Sequence, residues 1–331
     1  MATIELEVDE AYQDIVEFLA SAVPTLPLTR IRRLVAHGCA EVDGRRVDHR
    51  CVPRPGQRVV LTLPDTPFVR YEPRAMDLEV LHEDAHVLAI NKPPGLSVLP
   101  GPGTLEATLI NGLLHHVQNA SPWPSARIHI VHRLDKDTTG VLLVAKDLAT
   151  ARHLSGCFGG RRVKKLYLAL VRGEVASEEG EIDLTIAATS TRGRMRLAAG
   201  GAGGAALRRR KGRPAHSRYR VVERFRGFTL VEVQPLTGRQ HQVRLHMLGI
   251  GHPLAVDPLY GGRDALYLSE IKPGYRRKAD RPEPPLMARL TLHASHVELA
   301  LADGSPLAVD APLPDDFERL LRALRKYAAK R

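Results

Sequence analysis

The chain has 331 residues, 44% of them hydrophobic, and carries a formal net charge of +11 at pH 7. That length allows a sizeable core with a smaller appended unit. No apolar run reaches the roughly 18 residues needed to cross a bilayer, which excludes a helical membrane protein. Cys39, Cys51 and Cys157 include no C-x-x-C pair, which argues against a disulfide frame and for reduced thiols in the cytoplasm. The surplus of Lys and Arg points to a polyanionic partner, nucleic acid first, although basic GC-rich proteomes also carry arginine on their surfaces.

The first ten residues are acidic and alternating, unlike a signal or transit peptide. Residues 1–70 read as a separate unit. Residues 4–8 alternate as a strand, and 11–20 place Ile15, Val16 and Leu19 at helical spacing. Thr29 is a cap for a helix through Ala36 that ends at Gly38, with Arg30, Arg32 and Arg33 on its face and Ile31, Leu34 and Val35 turned inward. Asp43-Gly44 marks a hairpin turn within 40–47, and a strand at 57–63 follows Pro55-Gly56. Over residues 13–63 this order resembles the small S-four-like, or α-L, RNA-binding module first described in a ribosomal small-subunit protein. The resemblance implies that Thr29, Arg30, Arg32 and Arg33 grip an RNA backbone, since guanidinium forks suit phosphates. Without it, the helix is simply amphipathic with a solvated basic face.

Residues 71–76, which include Pro73 and follow Pro64 and Pro67, read as a linker into a second domain at 77–331. There, 78–84 and 86–92 read as two strands, Pro93-Pro94-Gly95 fixes a loop, and 105–117 has helical spacing through Leu109, Leu113 and Leu114. From 130 the chain runs Ile-Val-His-Arg-Leu-Asp-Lys-Asp-Thr-Thr-Gly-Val-Leu-Leu-Val-Ala-Lys. Its apolar end, 141–145, reads as a buried strand, which would hold Asp135 on a rigid loop where an acid serves chemistry. Asp before Thr-Thr-Gly is also a common way to make a turn.

A helix is expected at 148–158 and a strand at 164–171 that contains Tyr167. Residues 190–220 hold ten Lys or Arg and no acid around a Gly-rich centre, which reads as a mobile basic insertion over about 190–214. Its charges either touch RNA or keep the loop in solvent. Residues 217–224 and 229–234 alternate as an antiparallel pair. The turn at 235–238 launches a helix over 239–248, capped by Thr237 or Gly238, whose free N–H groups favour an anion near Arg239 and His241. A strand at 289–301 and a helix at 315–327 close the chain. Strands joined by short turns, with a few helices between, give an α+β domain with a mixed, mostly antiparallel sheet.

The candidates for reaction chemistry are Asp135, Tyr167, Arg239, His241 and Arg244. An acid beside an arginine stays ionised in a partly buried pocket, because the cation offsets desolvation. Such a carboxylate can attack, or stabilise, a sugar C1′ with developing positive charge.

Residues 132–140, His-Arg-Leu-Asp-Lys-Asp-Thr-Thr-Gly, are similar to the His-Arg-Leu-Asp-x-x-Thr-Ser-Gly signature of RluA-type pseudouridine synthases. Three more blocks agree in order: Asn91-Lys92-Pro93-Pro94-Gly95, Lys165-x-Tyr167-x-Ala169, and 237–246 from Thr237 to His246. His252-Pro253-Leu254 and Asp257-Pro258-Leu259-Tyr260-Gly261 extend the likeness, which spans about 77–313. Thr139 stands where the family usually has Ser, and Val256-Asp257 where it often has Gly-Asp. The resemblance implies the pseudouridine synthase fold and isomerisation of a uridine in RNA. Asp135 would be the catalytic aspartate, Tyr167 the tyrosine facing the target base, and Arg244 the arginine paired with the aspartate. His132, Arg133, Arg239 and His241 would contact RNA, Arg133 by holding a phosphate or filling the gap left by a flipped base, unless it is a plain surface arginine. No cofactor or metal is implied, no membrane and no obligate protein partner. The family's habits point to ribosomal RNA first and transfer RNA second.

Two other readings remain open at this level. Asp135-x-Asp137-x-Thr139 fits the motif of phosphotransferases that form an aspartyl-phosphate, but His132 and Arg133 interrupt the apolar strand they need, and the distal acidic pair Asp315-Asp316 falls in a terminal helix far from any strand end. A non-catalytic RNA binder would be expected to lack the acid or its arginine. The pairs His129-x-x-His132 and His293-x-x-His296 lack cysteine or acid ligands at helical spacing and read as structural, and Trp123 reads as a loop anchor.

Overall fold

The computed structural model describes residues 2–23, 26, 28–63, 71–100, 107–191, 193–198, 212–276 and 281–330. The chain divides into two compact units, Met1–Tyr71 and Glu72–Arg331.

The first unit runs β1 (Ala2–Glu7), α1 (Ile15–Ala22), α2 (Leu28–Ala36), β2 (Ala40–Val42), β3 (Arg45–Arg46) and β4 (Arg58–Leu63). Its sheet has the order β1-β4-β2-β3. Asp43 and Gly44 take φ of 49° and 76°, the mirror-image turn that Asp-Gly favours. Helix α1 starts later than its apolar spacing predicts, because its cap is set elsewhere. Asp14 accepts the Glu17 N–H at 2.8 Å, while Glu17 accepts the Gln13 N–H at 2.6 Å. Helix α2 takes in Leu28, so Thr29 lies in its first turn instead of capping it, a shift of the size common at fraying helix ends. Ile15, Phe18, Leu19, Ile31, Leu34, Val59 and Leu61 close the core of this unit.

The second unit runs β5 (Glu79–Glu83), β6 (Val87–Lys92), α3 (Leu109–Asn119), β7 (His129–Ile130), β8 (Thr139–Ala145), α4 (Leu148–Gly159), β9 (Lys164–Arg172), β10 (Glu179–Ala188), β11 (Met195–Leu197), β12 (Arg213–Phe225), β13 (Phe228–Pro235), α5 (Gln242–Gly249), β14 (Leu266–Tyr267), α6 (Leu268–Ile271), β15 (Pro285–Met287), β16 (Leu292–Ala300), β17 (Pro306–Asp310) and α7 (Asp315–Tyr327). An 11-stranded sheet has the order β11-β10-β12-β13-β9-β16-β8-β6-β5, with β17 on β16 and β7 on β8. Among the described residues its one parallel pair is β8–β16, so the expected mixed, mostly antiparallel α+β domain is what forms. The parallel contact explains a glycine. Gly140 has φ +110°, and a Cβ there would lie 2.1 Å from the Ala294 carbonyl oxygen on β16.

Strand alternation distributes the helices. On β8, Leu142 and Val144 meet Leu109 and Leu113 of α3, while Val141 and Leu143 meet Leu154 of α4. On β9 and β13, Ala169, Val171, Val231 and Val233 meet Val243 and Met247 of α5, and Leu170 and Leu230 meet Phe317 and Leu320 of α7. The site thus lies where β8, β9 and α5 converge.

Several boundaries depart from expectation. Helix α3 begins at Leu109, because Asn111 Oδ1 accepts the N–H and hydroxyl of Thr108 at 2.9 Å each. The start expected near 105 falls among residues 101–106, outside the described ones. The expected linker is held in place over 72–76: the Arg74 N–H donates to Asn111 O at 3.0 Å, Asn111 Nδ2 donates to Glu72 O at 2.7 Å, and Met76 fills the space beside Gly112. Within the expected insertion, β11 and the start of β12 are strands, and 199–211 lie outside the described residues. Strand β16 begins at Leu292 and not at 289, because Thr291 Oγ1 donates to Leu170 O at 2.9 Å and Arg289 turns to bind Asp316. The three cysteines are free thiols, and no described helix is long and apolar enough to cross a membrane.

Candidate active site

Asp135 sits on the loop before β8. Its carbonyl accepts the Thr138 N–H at 3.2 Å, so the residue makes a turn as well as presenting a carboxylate. Beneath the turn, Thr139 Oγ1 lies 2.8 Å from His293 Nδ1, and His293 Nε2 lies 3.2 Å from the Ala311 carbonyl. A carbonyl only accepts, so Nε2 carries the ring proton and Thr139 donates to Nδ1. Burial keeps His293 neutral, with its pKa pushed down to about 4.

Lys92, at the end of β6, fixes the same loop. Its fully buried ammonium donates to the carbonyls of Pro93, Leu96 and Lys136 at 2.7, 2.9 and 2.8 Å, using all three N–H groups. Burial lowers its pKa to about 8, with Asp137 and Asp135 opposing. The block Asn91 to Gly95 therefore clamps the Pro93–Leu96 turn to the backbone next to Asp135. Lys92 was not singled out as a site residue from the sequence, although its motif was visible.

Arg244 comes from α5. That helix begins at Gln242 and not at residue 239, because the buried amide of Gln242 folds the preceding loop around itself. Gln242 Oε1 accepts from Thr237 Oγ1 at 2.7 Å and from the Arg239 N–H at 3.0 Å, and Nε2 donates to His216 O at 2.8 Å and Ser217 Oγ at 2.9 Å. Neither Thr237 nor Gly238 caps the helix; His241 precedes it in the left-handed region at φ 57°. Arg244 then bridges two carboxylates. Nη1 donates to Asp135 Oδ2 at 3.1 Å, while Nε and Nη2 donate to the two oxygens of Asp257 at 2.8 Å each. Asp257 is 1% exposed and also accepts the N–H groups of Leu259 and Tyr260 at 2.9 and 3.0 Å. The net effect holds the Arg244 pKa above its ordinary value, burial opposing and Asp257 and Asp135 outweighing it. Asp257 was noted as part of a sequence block, but its grip on Arg244 was not expected.

These groups open onto a cavity of about 510 Å³, lined among others by His132, Arg133, Asp135, Lys165, Tyr167, Arg239, His241 and Arg244. Its size falls in the range of about 300–1,000 Å³ usual for small-ligand sites. Tyr167 points in from β9, its hydroxyl held well above the ordinary phenol pKa by burial and by the Asp135 charge. Two residues earlier on the same face, Lys165 reaches the Thr237 carbonyl at 3.5 Å, the outer limit of a hydrogen bond, and burial lowers its pKa. His132 Nε2 accepts the Leu143 N–H at 2.8 Å, and its ring stacks on Phe158 at 4.3 Å. Burial, with Lys165 adding to it, pushes its pKa down to about 3, so it is neutral with its proton on Nδ1. Arg133 is exposed at the rim, and Arg239 Nε donates to Pro214 O at 3.1 Å. His241 lies between Asp135, with Nε2 3.8 Å from Oδ1, and Tyr260, with Nδ1 2.6 Å from the hydroxyl.

The structure thus brings Asp135, Tyr167, Arg244, His132, Arg133, Arg239 and His241 to one cavity. Thr29, Arg30, Arg32 and Arg33 belong to the other unit. There the three arginines are exposed on α2, and the Thr29 side chain is outside the described residues. Outside the cavity, His296 Nδ1 lies 2.8 Å from Asp310, and Lys146 stands 3.8 Å over the Trp123 ring. Asp316 is occupied by Arg289 at 2.7 and 2.5 Å.

A carboxylate held by a doubly anchored arginine, beside a half-buried tyrosine in a cavity of about 510 Å³, is equipped to act on a sugar carbon. The family described as RNA pseudouridylate synthase matches residues 86–248, a span that contains Asp135, Tyr167 and Arg244. Proteins named ribosomal large subunit pseudouridine synthase D from Xanthomonas campestris and Nitrosomonas europaea are each 36% identical, over 94% and 98% of this chain and 89% and 88% of their own lengths. The solved structure of human RNA pseudouridylate synthase domain containing 4 is 26% identical with a TM-score of 0.57, covering 75% of this chain and 93% of that one. With its sequence, fold and cavity in agreement, the chain belongs to the RluA-type RNA pseudouridine synthases, isomerases that convert uridine in RNA to pseudouridine.

Proposed function

We propose that this protein isomerises one or more uridines of large-subunit ribosomal RNA, with Asp135 as the reacting group. The observation that carries the chemistry is the Asp135–Arg244–Asp257 arrangement at the cavity wall, in which Arg244 holds one oxygen of Asp135 at 3.1 Å. The choice of RNA rests on the names of the relatives, on the net charge of +11 and on the basic face of α2.

The target uridine leaves its stack to enter the cavity, which unpaired loops make easier. Asp135 assists cleavage of the C1′–N1 bond, either by attack on C1′ or by taking a proton to form a glycal. Tyr167 faces the detached uracil while it turns. C5 then bonds to C1′ as the ester bond to Asp135 breaks, or as Asp135 returns its proton to C2′ of the glycal; a base takes the C5 proton and N1 ends protonated. The exposed Arg133 takes a flanking phosphate or fills the vacated stack, and Arg239 lies at the same mouth. His241 and His132 contact the RNA from the cavity wall. His132 has only Nδ1–H to offer, since Nε2 is occupied by Leu143. The first unit acts as the S-four-like RNA module, with Arg30, Arg32 and Arg33 against phosphates and Thr29 beside them. A cytoplasmic location follows from such a substrate.

Pseudouridine mapping in ribosomal and transfer RNA, from cells with and without the gene, tests the assignment. Loss of pseudouridine at defined large-subunit positions is expected. Loss in transfer RNA alone would overturn the substrate, and loss nowhere would overturn the activity in the cell.

A further inference from the structure

Beyond the aspartate and its arginine, His241 of the cavity lining is joined to Tyr260 by a chain of contacts. Tyr260 Oη accepts the Met195 N–H from β11 at 2.9 Å and lies 2.6 Å from His241 Nδ1. Its ring also lies under the Arg244 guanidinium, 4.8 Å from the centroid, so its position is fixed from two sides. A hydroxyl that already accepts an amide proton has its own proton to place, and His241 Nδ1 is the acceptor at hand. A neutral imidazole that accepts at Nδ1 carries its proton on Nε2.

The other end of the ring asks for the same tautomer. Nε2 stands 3.8 Å from Asp135 Oδ1, where an N–H is attracted to the carboxylate and a lone pair would be repelled. Arg244 holds Oδ2, so the imidazole faces the oxygen that the arginine leaves free. His241 takes a left-handed backbone, unfavourable for a non-glycine residue, directly before α5. The groups that act on its charge are Asp135, Arg244, Asp257 and Arg133. Burial, with Arg244 and Arg133, holds its pKa below the ordinary value against the two aspartates.

We propose that His241 and Tyr260 form a positioning pair for Asp135. Tyr260 locks the imidazole with its proton on Nε2, and that N–H closes from 3.8 Å to a hydrogen bond on Oδ1 when a uridine fills the cavity. Hydrogen bonds in a catalytic site are commonly long before substrate binds. The pair donates to the free oxygen of the carboxylate and sets its angle. This rests on the proposal that Asp135 is the reacting group, and the test separates the two.

Nitrogen NMR of the full-length protein, labelled with ¹⁵N-histidine and compared with His241→Gln for assignment, reads the tautomer without any activity. We expect Nδ1 bare and Nε2 protonated in wild type, with the two forms mixed in Tyr260→Phe. The reverse tautomer in wild type would overturn the proposal. The second arm follows tritium release from large-subunit ribosomal RNA transcribed with C5-tritiated uridine. His241→Gln keeps an N–H at the Nε2 position and should retain kcat within about tenfold, whereas His241→Asn should lose about a hundredfold, as expected when a charge-assisted hydrogen bond is removed. Tyr260→Phe should lose rate mainly at neutral and alkaline pH, where the freed neutral imidazole can carry its proton on Nδ1, and least at acidic pH, where the doubly protonated ring keeps its Nε2–H. Equal losses for Gln and Asn, or a Tyr260→Phe loss that is the same at every pH, would sink it.

Discussion

Asp257 grips Arg244 through both of its oxygens at 2.8 Å, which leaves Nη1 of the guanidinium to reach Asp135. The arginine is 6% exposed and Asp257 1%, so solvent barely screens the pair. Removing one partner from a buried pair of this kind costs about 3–5 kcal/mol. Asp257→Asn should therefore lower Tm and also lower kcat, because Arg244 loses the fork that aims it. Arg244→Lys should lose activity similarly, since a point charge cannot bridge two carboxylates. A thermal melt with a tritium-release assay checks both. A wild-type kcat in Asp257→Asn would show that the fork does not position Arg244.

Gly140→Ala should fold poorly. The added Cβ meets the Ala294 backbone at 2.1 Å, and a backbone carbonyl cannot rotate away as a side chain can. The positive φ adds its own strain, so the loss should exceed about 3 kcal/mol, at the severe end for point mutations. Denaturant unfolding measures it, and a loss under about 1 kcal/mol would mean that β8 and β16 can separate locally.

What the sequence made legible were the features set by local pattern. The Asp43-Gly44 hairpin, the buried run of β8 and the amphipathic α7 formed at the expected places, because alternation, helical spacing and turn chemistry act over a few residues. The start of α5 was hidden, since it depends on Gln242 reaching His216 and Ser217, more than twenty residues away in the chain. The basic Gly-rich stretch hid β11 and the start of β12 behind a composition that favours loops. At the site, motif likeness marked Asp135, Tyr167 and Arg244. The contributions of Lys92 and Asp257 appear only in three dimensions, because each works through a contact across the fold.

Lys92→Met keeps much of the side-chain volume but strips the donors from three carbonyls. Each buried acceptor left without a partner costs about 1–3 kcal/mol. The loop that carries Asp135 should loosen, so Tm falls and kcat falls more than KM changes. Steady-state kinetics checks this, and a variant that loses Tm with kcat intact would limit Lys92 to a packing role.

Three buried histidines make stability depend on pH. His132, His246 and His293 are held down to about 3, 4 and 4 by burial, from an ordinary value of 6.5. The unfolded chain therefore takes up protons at these sites as pH falls through 6.5, while the folded chain does not until near 4. Stability should be full above that upper value and decline from 6.5 toward 4. Carboxylates with lowered values, such as Glu83, add their loss only from about 4.5 downward. Calorimetry between pH 7 and 5 should show Tm falling, and His293→Gln should reduce the proton uptake by about one. A flat Tm over that window would contradict the neutral, buried state of these rings.

The most direct test of the account replaces the carboxylate of Asp135 with an amide of the same shape. Asp135→Asn should keep the wild-type melting behaviour to within a few degrees and bind large-subunit ribosomal RNA, yet release no tritium above background from C5-tritiated uridine. Release at a rate comparable to wild type would mean that another group breaks the glycosidic bond, and the reading of this cavity would be wrong.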